Sequence, residues 1–203
     1  SGSALYGDGY KDSSDIVVFR KLNTSLSTIN NGWANFSGYS TYVTETPSAT
    51  GLRMVSTRTT YNYNSSVPLD TSWESAYNDV RIQIDFVLNS KGSSLPYIGT
   101  VMDGATNLYA NNGFFVISLL DSSITFLTSS FGNFSCGTMA RNIAAWDSIR
   151  LVHRRYFDVD YLTVYNFTNN TVETFNHSYG GSQSGCATTN IYPGLFIADM
   201  DIT

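Results

Sequence analysis

Two extended runs at residues 148–156 and 161–167, four residues apart, constrain the fold of this chain more than any other segment. Both runs are rich in β-branched and aromatic side chains, and the short acidic connection at 157–160 completes the pattern of a β-hairpin. Cys136 precedes the hairpin and Cys186 follows it. We predict a disulfide bond between them, which implies an extracellular location or the lumen of the secretory pathway.

Alternating apolar and polar residues predict several further strands. The clearest is 81–88, where Ile82, Ile84, Phe86 and Leu88 share one face. The run 114–120 is apolar on both faces, as in a strand covered on both sides, and it is followed by 124–127 in a second predicted hairpin. Shorter extended runs occur at 16–19, 41–44, 52–56 and 195–197. Residues 139–146 predict one helical turn, and 166–185 predict a long loop.

Many short strands separated by turn residues, without strand–helix alternation, predict an all-β fold, an antiparallel two-sheet β-sandwich or jelly roll. The 203 residues are 42% hydrophobic and show no break in composition, so we predict a single domain over residues 1–203. Because no apolar run reaches the roughly 18 residues that cross a bilayer, we expect no membrane span in this chain.

The charge pattern argues against nucleic acid as a partner. Only 13% of the residues are charged and the formal net charge is −5, too little positive charge to neutralise a phosphate backbone. The one basic group is Arg150, His153, Arg154 and Arg155. The strand period of two divides this group between two faces, and we predict solvated hairpin charges. We also expect both histidines, His153 and His177, to be exposed.

Seven Asn-x-Ser/Thr acceptors support a secreted glycoprotein, and all lie in predicted turns or strand ends. They are Asn23, Asn35, Asn64, Asn133, Asn166, Asn169 and Asn176. We expect glycans at several of these positions, above all at Asn64 and Asn176, which lie in polar stretches flanked by Pro or Gly.

No pattern typical of an active site is present, so we predict that the protein is not an enzyme. A sandwich-type glucanase needs two carboxylates at i and i+4 on one strand face, whereas strand 81–88 carries only Asp85. A Ser or Cys nucleophile needs an adjacent base, and we expect neither histidine to lie beside such a nucleophile. There is no Cys or His spacing typical of zinc and no Gly-rich phosphate loop.

Tyrosines favour recognition instead, because each offers a flat apolar ring with a hydroxyl group. The candidates among the fourteen are Tyr39, Tyr42, Tyr61, Tyr63, Tyr77, Tyr97 and Tyr109.

From Cys136 onward the chain resembles the leguminous-type cargo lectins of the early secretory pathway. In that family a cysteine precedes a hairpin and a second cysteine precedes a Gly-aromatic-Phe strand. The counterparts here are Cys136, 147–153, 161–165, Cys186 and 192–198. A weaker similarity at 111–121 matches the family's Asp-Asn stretch and the apolar strand that ends in Leu-Asp. The resemblance covers roughly residues 80–203.

The resemblance implies a concanavalin-like jelly roll that binds a glycan or a glycoprotein. The ligand contacts that it implies are Asp103, Asn112 and Asp121, with Tyr97 or Tyr109 as a stacking face. The family orders its sugar-binding residues with calcium, which needs six to eight oxygen ligands. Carboxylates are few at the matching positions of this chain, even with Asp199 and Asp201 included, so we predict no metal or cofactor.

Two other functions remain open. The first is a glycosylated structural or adhesive ectodomain that has lost sugar binding and pairs with another protein or with its own copy. The second is a viral attachment domain built on a galectin-like sandwich, which would share the β content and the glycans.

Overall fold

The computed structural model describes residues 10–11, 16–17, 43–47, 52–57, 66–68, 79–103, 113–128, 132–178 and 192–203. These residues form fifteen strands and no helix. The strands are β1 (Tyr10–Lys11), β2 (Ile16–Val17), β3 (Val43–Pro47), β4 (Leu52–Ser56), β5 (Ser66–Pro68), β6 (Asp79–Lys91), β7 (Tyr97–Asp103), β8 (Phe114–Ser118), β9 (Ser123–Thr128), β10 (Gly132–Thr138), β11 (Ser148–Tyr156), β12 (Val159–Asn166), β13 (Thr171–Ser178), β14 (Tyr192–Ala198) and β15 (Met200–Ile202).

Two large antiparallel sheets form the fold. One has six strands in the order β10-β9-β8-β7-β14-β5, and the other has seven in the order β13-β12-β11-β6-β15-β4-β3. Strands β1 and β2 form a separate pair. The predicted all-β two-sheet sandwich is therefore confirmed. In the described ranges no helix is long and apolar enough to cross a membrane.

Both predicted hairpins are present. Strands β11 and β12 pair from Ile149 opposite Asn166 to Tyr156 opposite Val159, and β8 pairs with β9 in the second hairpin. Strand β6 is longer than the sequence predicts. Its last residues continue the ladder with β15, where Lys91 lies opposite Met200.

Two local predictions are wrong. Residues 139–146 contain no helical turn, because the Asp147 carboxylate accepts a hydrogen bond from the Ala144 amide and Trp146 has a left-handed φ of 70°. The predicted loop at 166–185 contains β13. This strand is at the edge of the seven-stranded sheet, and its one buried side chain is Phe175, so it lacks the apolar alternation that marks other strands.

The core lies between the two sheets. The six-stranded sheet contributes Phe115, Ile117 and Phe126, and the seven-stranded sheet contributes Leu151 and Leu162, all fully buried. All five side chains of β8 are buried, which confirms a strand covered on both faces.

Cys136 lies on β10, where the register with β9 shifts between Ser135 and Gly137. It is a free cysteine in the structure, and partial burial raises the pKa of its thiol. Cys186 lies outside the described residues. The disulfide between the two is therefore not shown and stays a prediction.

Candidate functional site

The outer face of the six-stranded sheet carries a second apolar cluster. Alternation along β8 turns Phe115 and Ile117 toward the core and Phe114 and Val116 outward. The outward pair packs with other outward side chains of the same sheet. These are Leu127 and Ala198, together with the partly buried Tyr97.

A cavity of about 270 Å³ opens on this face, and we call it the hydroxyl pocket. Four strands supply its lining: β7, β8, β9 and β10. The lining residues are Tyr97, Val116, Ser118, Ser123, Thr125, Leu127 and Asn133. Its apolar parts come from Val116, Leu127 and the tyrosine ring, and the rest of the lining consists of three hydroxyl groups and one amide.

Strand register explains why these side chains meet. Tyr97 lies opposite Ser118, and Val116 lies opposite Thr125. Directly opposed residues point to the same face with their Cβ atoms about 5 Å apart. Gly99 lies opposite Val116 on the other side, and a Cβ at Gly99 would lie 1.9 Å from the Phe115 carbonyl oxygen. The backbones of β7 and β8 therefore approach closely here, and only glycine fits at this position.

Asp121 lies in the β8–β9 turn and orders one end of the hydroxyl pocket. Its Oδ1 accepts hydrogen bonds from the Ser123 hydroxyl at 2.7 Å and from the Ser123 amide at 3.1 Å. The Ser123 hydroxyl and then the Ser118 hydroxyl hold the pKa of Asp121 below its usual value. The exposed carboxylate therefore stays ionised and fixes two hydroxyl groups that line the pocket.

The structure brings together two of the five predicted ligand contacts. Tyr97 lines the hydroxyl pocket and Asp121 lies at its end. Asp103 is the last residue of β7, and the structure does not describe its side chain. Tyr109 and Asn112 lie outside the described residues, as do the other five candidate tyrosines at positions 39, 42, 61, 63 and 77.

Sequence reasoning missed the hydroxyl residues of the pocket. Ser123, Thr125 and Leu127 alternate with the core residues Ile124 and Phe126 along β9. That alternation was visible in the sequence, and it identifies an outward face with two hydroxyl groups.

The described residues do not fit a calcium ion. The Asp199 carboxylate accepts hydrogen bonds from the amides of Ser94 and Leu95, and Asp201 is paired with Arg53. In this part of the chain no three His, Cys, Asp or Glu side chains are grouped as metal ligands.

A second polar group, the core polar cluster, lies between the sheets and consists of Thr100, His153, Arg155 and Asp160. Arg155 donates two hydrogen bonds of 2.7 Å to the Asp160 carboxylate. His153 shares a hydrogen bond of 2.9 Å with the Thr100 hydroxyl through Nδ1. Its Nε2 lies 3.6 Å from Asp160 Oδ2, beyond hydrogen-bond distance. The cluster links β7 of one sheet to β11 and β12 of the other.

Burial governs the titration of this cluster. It lowers the pKa of His153, and the attraction of Asp160 offsets it only in part. Burial alone would raise the pKa of Asp160, but the Arg155 guanidinium and His153 hold it far below its usual value. At neutral pH the cluster therefore holds a neutral imidazole beside one ion pair.

The prediction of exposed histidines and solvated hairpin charges is therefore wrong for His153 and Arg155. The period of two does divide the basic group, and it turns these two side chains inward with Ile149 and Leu151. Asp160 lies directly opposite Arg155 on β12 and provides the countercharge that burial requires. His177 is half-buried, with its ring stacked on Phe126 at 4.4 Å.

The predicted glycosylation sites differ in exposure. Asn133 and Asn176 are exposed, on β10 and β13. Asn166 is only 6% exposed, and its amide donates to the Asp147 carboxylate at 2.8 Å, which argues against a glycan there. Asn169 is half-buried and also donates to Asp147. Asn23, Asn35 and Asn64 lie outside the described residues.

The sequence matches none of the protein families and none of the curated proteins with which it was compared. Solved structures resemble the fold. The carbohydrate-binding module CBM66 from Bacillus subtilis matches with a TM-score of 0.56 at 11% identity, over 85% of this chain and 91% of that one. Lectin I-B4 from Griffonia simplicifolia, in a metal-free form, matches with a TM-score of 0.53 at 7% identity, over 79% and 87%.

A third similarity is to scytalido-glutamic peptidase, with a TM-score of 0.42 at 15% identity over 59% of each chain. A score this low carries no argument about this chain. The first two similarities show that the protein has the jelly-roll fold of lectins and carbohydrate-binding modules. At such low identity they show the fold alone.

Proposed function

We propose that the protein is a non-catalytic recognition domain that binds a neutral saccharide in the hydroxyl pocket. The observation that carries this proposal is the lining itself, in which one tyrosine ring and apolar side chains surround three hydroxyl groups and an amide. The fold similarity to a carbohydrate-binding module and a lectin supports the same function.

The pocket offers both kinds of contact that a sugar needs. The Tyr97 ring provides an apolar surface for the C–H face of a pyranose. Ser118, Ser123 and Thr125 donate and accept hydrogen bonds, and the Asn133 amide does both through separate atoms. None of the lining residues that the structure describes is charged. A neutral sugar therefore fits better than an acidic one, and the nearby Asp121 carboxylate would repel an acid.

The same features support binding rather than catalysis. His153 is fully buried with its ring against Phe115, so no substrate can reach it. No histidine is among the described lining residues, and the carboxylate that contacts the pocket hydroxyl groups, Asp121, has a lowered pKa and is therefore a weak base. We propose an extracellular or secretory-lumen location on the strength of the exposed acceptor Asn176, which lies outside the pocket.

A glycan array followed by calorimetry tests the proposal. Because Asn133 lines the pocket and also begins an acceptor sequence, the protein should be made in a host that adds no N-glycans. We expect Tyr97→Ala to weaken the binding of the selected neutral glycan at least tenfold, and Thr125→Val to weaken it about three- to tenfold. Chelator should have no effect.

Thr163→Val is the matched control, because Thr163 is a hydroxyl residue on the outer face of the other sheet, bonded to Thr174. It should leave the affinity unchanged. Binding that survives both pocket substitutions would place the site elsewhere. Failure to bind any neutral glycan would overturn the proposal in favour of protein recognition by an adhesive ectodomain.

A further inference from the structure

The outer face of the seven-stranded sheet differs in chemistry from the hydroxyl pocket. Alternation turns Arg81 of β6 and Arg150 and Arg154 of β11 to this face. Exposed aromatic residues stand next to them at both ends of the β11–β12 hairpin. We call this surface the arginine face, and its members are Arg81, Arg150, Arg154, Tyr156, Phe157 and Phe167.

Positive charge is concentrated here although the chain as a whole has a net charge of −5. Arg81 lies directly opposite Arg154 in the β6–β11 register, which holds two like charges about 5 Å apart at Cβ. Both residues also have interactions within the chain. Among the outward side chains described on β6, β11 and β12, Asp85 is the only acidic one, and it pairs with Arg150.

The other described cations are arranged differently. Arg155 is buried with Asp160, Arg53 is paired with Asp201, Lys91 donates to the carbonyl groups of Leu119 and Ile143, and Arg141 is exposed in the loop before β11.

Each end of the face combines an arginine with an aromatic ring. The Arg154 guanidinium lies 4.7 Å from the centre of the Tyr156 ring, and the Arg150 guanidinium lies 5.4 Å from the centre of the Phe167 ring. Phe167 is 53% exposed, so its ring is available to a ligand. The two arginines of β11 on this face are four positions apart along the strand, a distance of about 13 Å.

Phe157 at the tip of the hairpin is held in a conformation that disfavours it. Its φ is 53°, in the left-handed region that glycine or asparagine adopts with less strain, and its side chain is 53% exposed. Its ring meets Tyr156 edge-on at 4.7 Å. A strained, exposed aromatic residue at a turn lowers stability without filling the core, which is typical of a residue retained for contact with a ligand.

We propose that the arginine face binds an acidic polysaccharide that lies along the β11–β12 hairpin. Carboxylate or sulfate groups contact Arg81 and Arg154 at one end and Arg150 at the other, while sugar rings stack on Phe157 and Phe167. A polymer suits a surface that presents charges and rings at intervals along a flat sheet. An extended peptide fits less well, because peptides usually add to a strand edge, and the backbone groups of β11 are already paired on both sides.

This site goes beyond the proposed pocket function in position and in chemistry. The two surfaces lie on the outer faces of different sheets, and one lacks charged lining residues while the other is cationic. The two proposals can therefore fail independently.

The test uses the whole protein with four immobilised probes: polygalacturonate, dextran sulfate, neutral dextran and poly-glutamate. We expect binding to one or both acidic polysaccharides that weakens with added salt, and none to dextran. Arg81→Gln and Arg154→Gln should each weaken binding about fivefold and the double variant about twentyfold or more. Preference for polygalacturonate or for dextran sulfate identifies carboxylate or sulfate as the recognised group.

Arg141→Gln is the matched control, since Arg141 is exposed in the loop before β11 and carries the same charge. It should bind like the original protein. Phe157→Gly should weaken binding while leaving thermal stability equal or higher, a combination that a purely structural role cannot give.

An equal loss in Arg141→Gln would show an unspecific charge effect and overturn the proposal. Tighter binding to poly-glutamate than to either polysaccharide would overturn it in favour of an acidic protein partner. Failure to bind both acidic polysaccharides would also overturn it. Tyr97→Ala should not change any of these results, whereas it should weaken pocket binding at least tenfold.

Discussion

Strand β11 carries two arginine–carboxylate pairs with the same chemistry and opposite surroundings. Arg155 and Asp160 form two hydrogen bonds of 2.7 Å inside the sandwich, where their side chains are 6% and 0% exposed. Arg150 and Asp85 form two bonds of 2.6 and 2.9 Å on the outer face, where the exposures are 37% and 51%. The difference teaches that strand parity, meaning which face of the sheet a residue points to, decides how much each pair contributes to stability. The geometry of the two pairs is nearly the same.

Removal of one partner of the inner pair strongly destabilises the fold, because water cannot solvate the charge that is left. It also sits beside His153, whose hydrogen bond to Thr100 connects the two sheets. The outer pair is solvated and contributes little to folding. Arg150 is therefore free to exchange its carboxylate for that of a ligand.

Asp160→Asn should have the largest effect on stability. It keeps the shape of the side chain but leaves the buried Arg155 without a countercharge, and breaking a buried pair in this way costs about 3–5 kcal/mol. Urea denaturation at pH 7, followed by circular dichroism, measures the loss. A cost below about 1 kcal/mol would show that the inner pair is hydrated and would remove the contrast with the outer one.

Acidification should have an intermediate effect. The pKa of His153 lies below its usual 6.5 in the fold, so the unfolded chain binds this proton more readily. Stability is therefore complete above about pH 6.5 and falls as the pH drops below it, by at most about 1.4 kcal/mol per pH unit for one proton. Asp160, whose pKa is also lowered, adds a further loss only below its usual 3.8.

Thermal unfolding between pH 7.5 and 4.5 measures this slope. His153→Gln should flatten it between pH 6.5 and 5, because the variant has no imidazole to protonate at this position. A slope that is unchanged in His153→Gln would assign the acid sensitivity to other groups.

Asp85→Asn should have the smallest effect. Both partners are exposed, and surface pairs of this kind contribute about 0–1 kcal/mol, which falls with salt. The urea midpoint should shift by less than a quarter of the shift caused by Asp160→Asn. An equal shift in the two variants would contradict the role of strand parity.

Much of the fold follows from the sequence because apolar alternation marks strands whose two faces differ in burial. Strands β8, β9, β11 and β12 were found in this way. The strands that were not predicted are β1, β5, β7, β10, β13 and β15. Among them, β13 is an edge strand with mostly polar side chains, and β10 is half-exposed with an irregular register at Cys136. Propensity gives no signal where neither face is buried.

The site was harder to predict than the fold because it depends on which strands become neighbours. Tyr97 and Asp121 were identified from a family resemblance, while Ser118 and Thr125 join them only through the β7-β8-β9 register. The burial of His153 and Arg155 depends on Asp160 lying opposite Arg155. Periodicity divides the basic group between two faces, but it does not show which face is covered by the other sheet.

Strand β15 is the last described strand along the chain, yet it lies inside the seven-stranded sheet between β6 and β4. Residues 200–202 therefore join β3 and β4 to the four strands β6, β11, β12 and β13. Contacts of such long sequence separation slow folding. On the ribosome, β4 and β6 would each keep an unpaired edge until these residues emerge, so the nascent chain is open to misassociation until then.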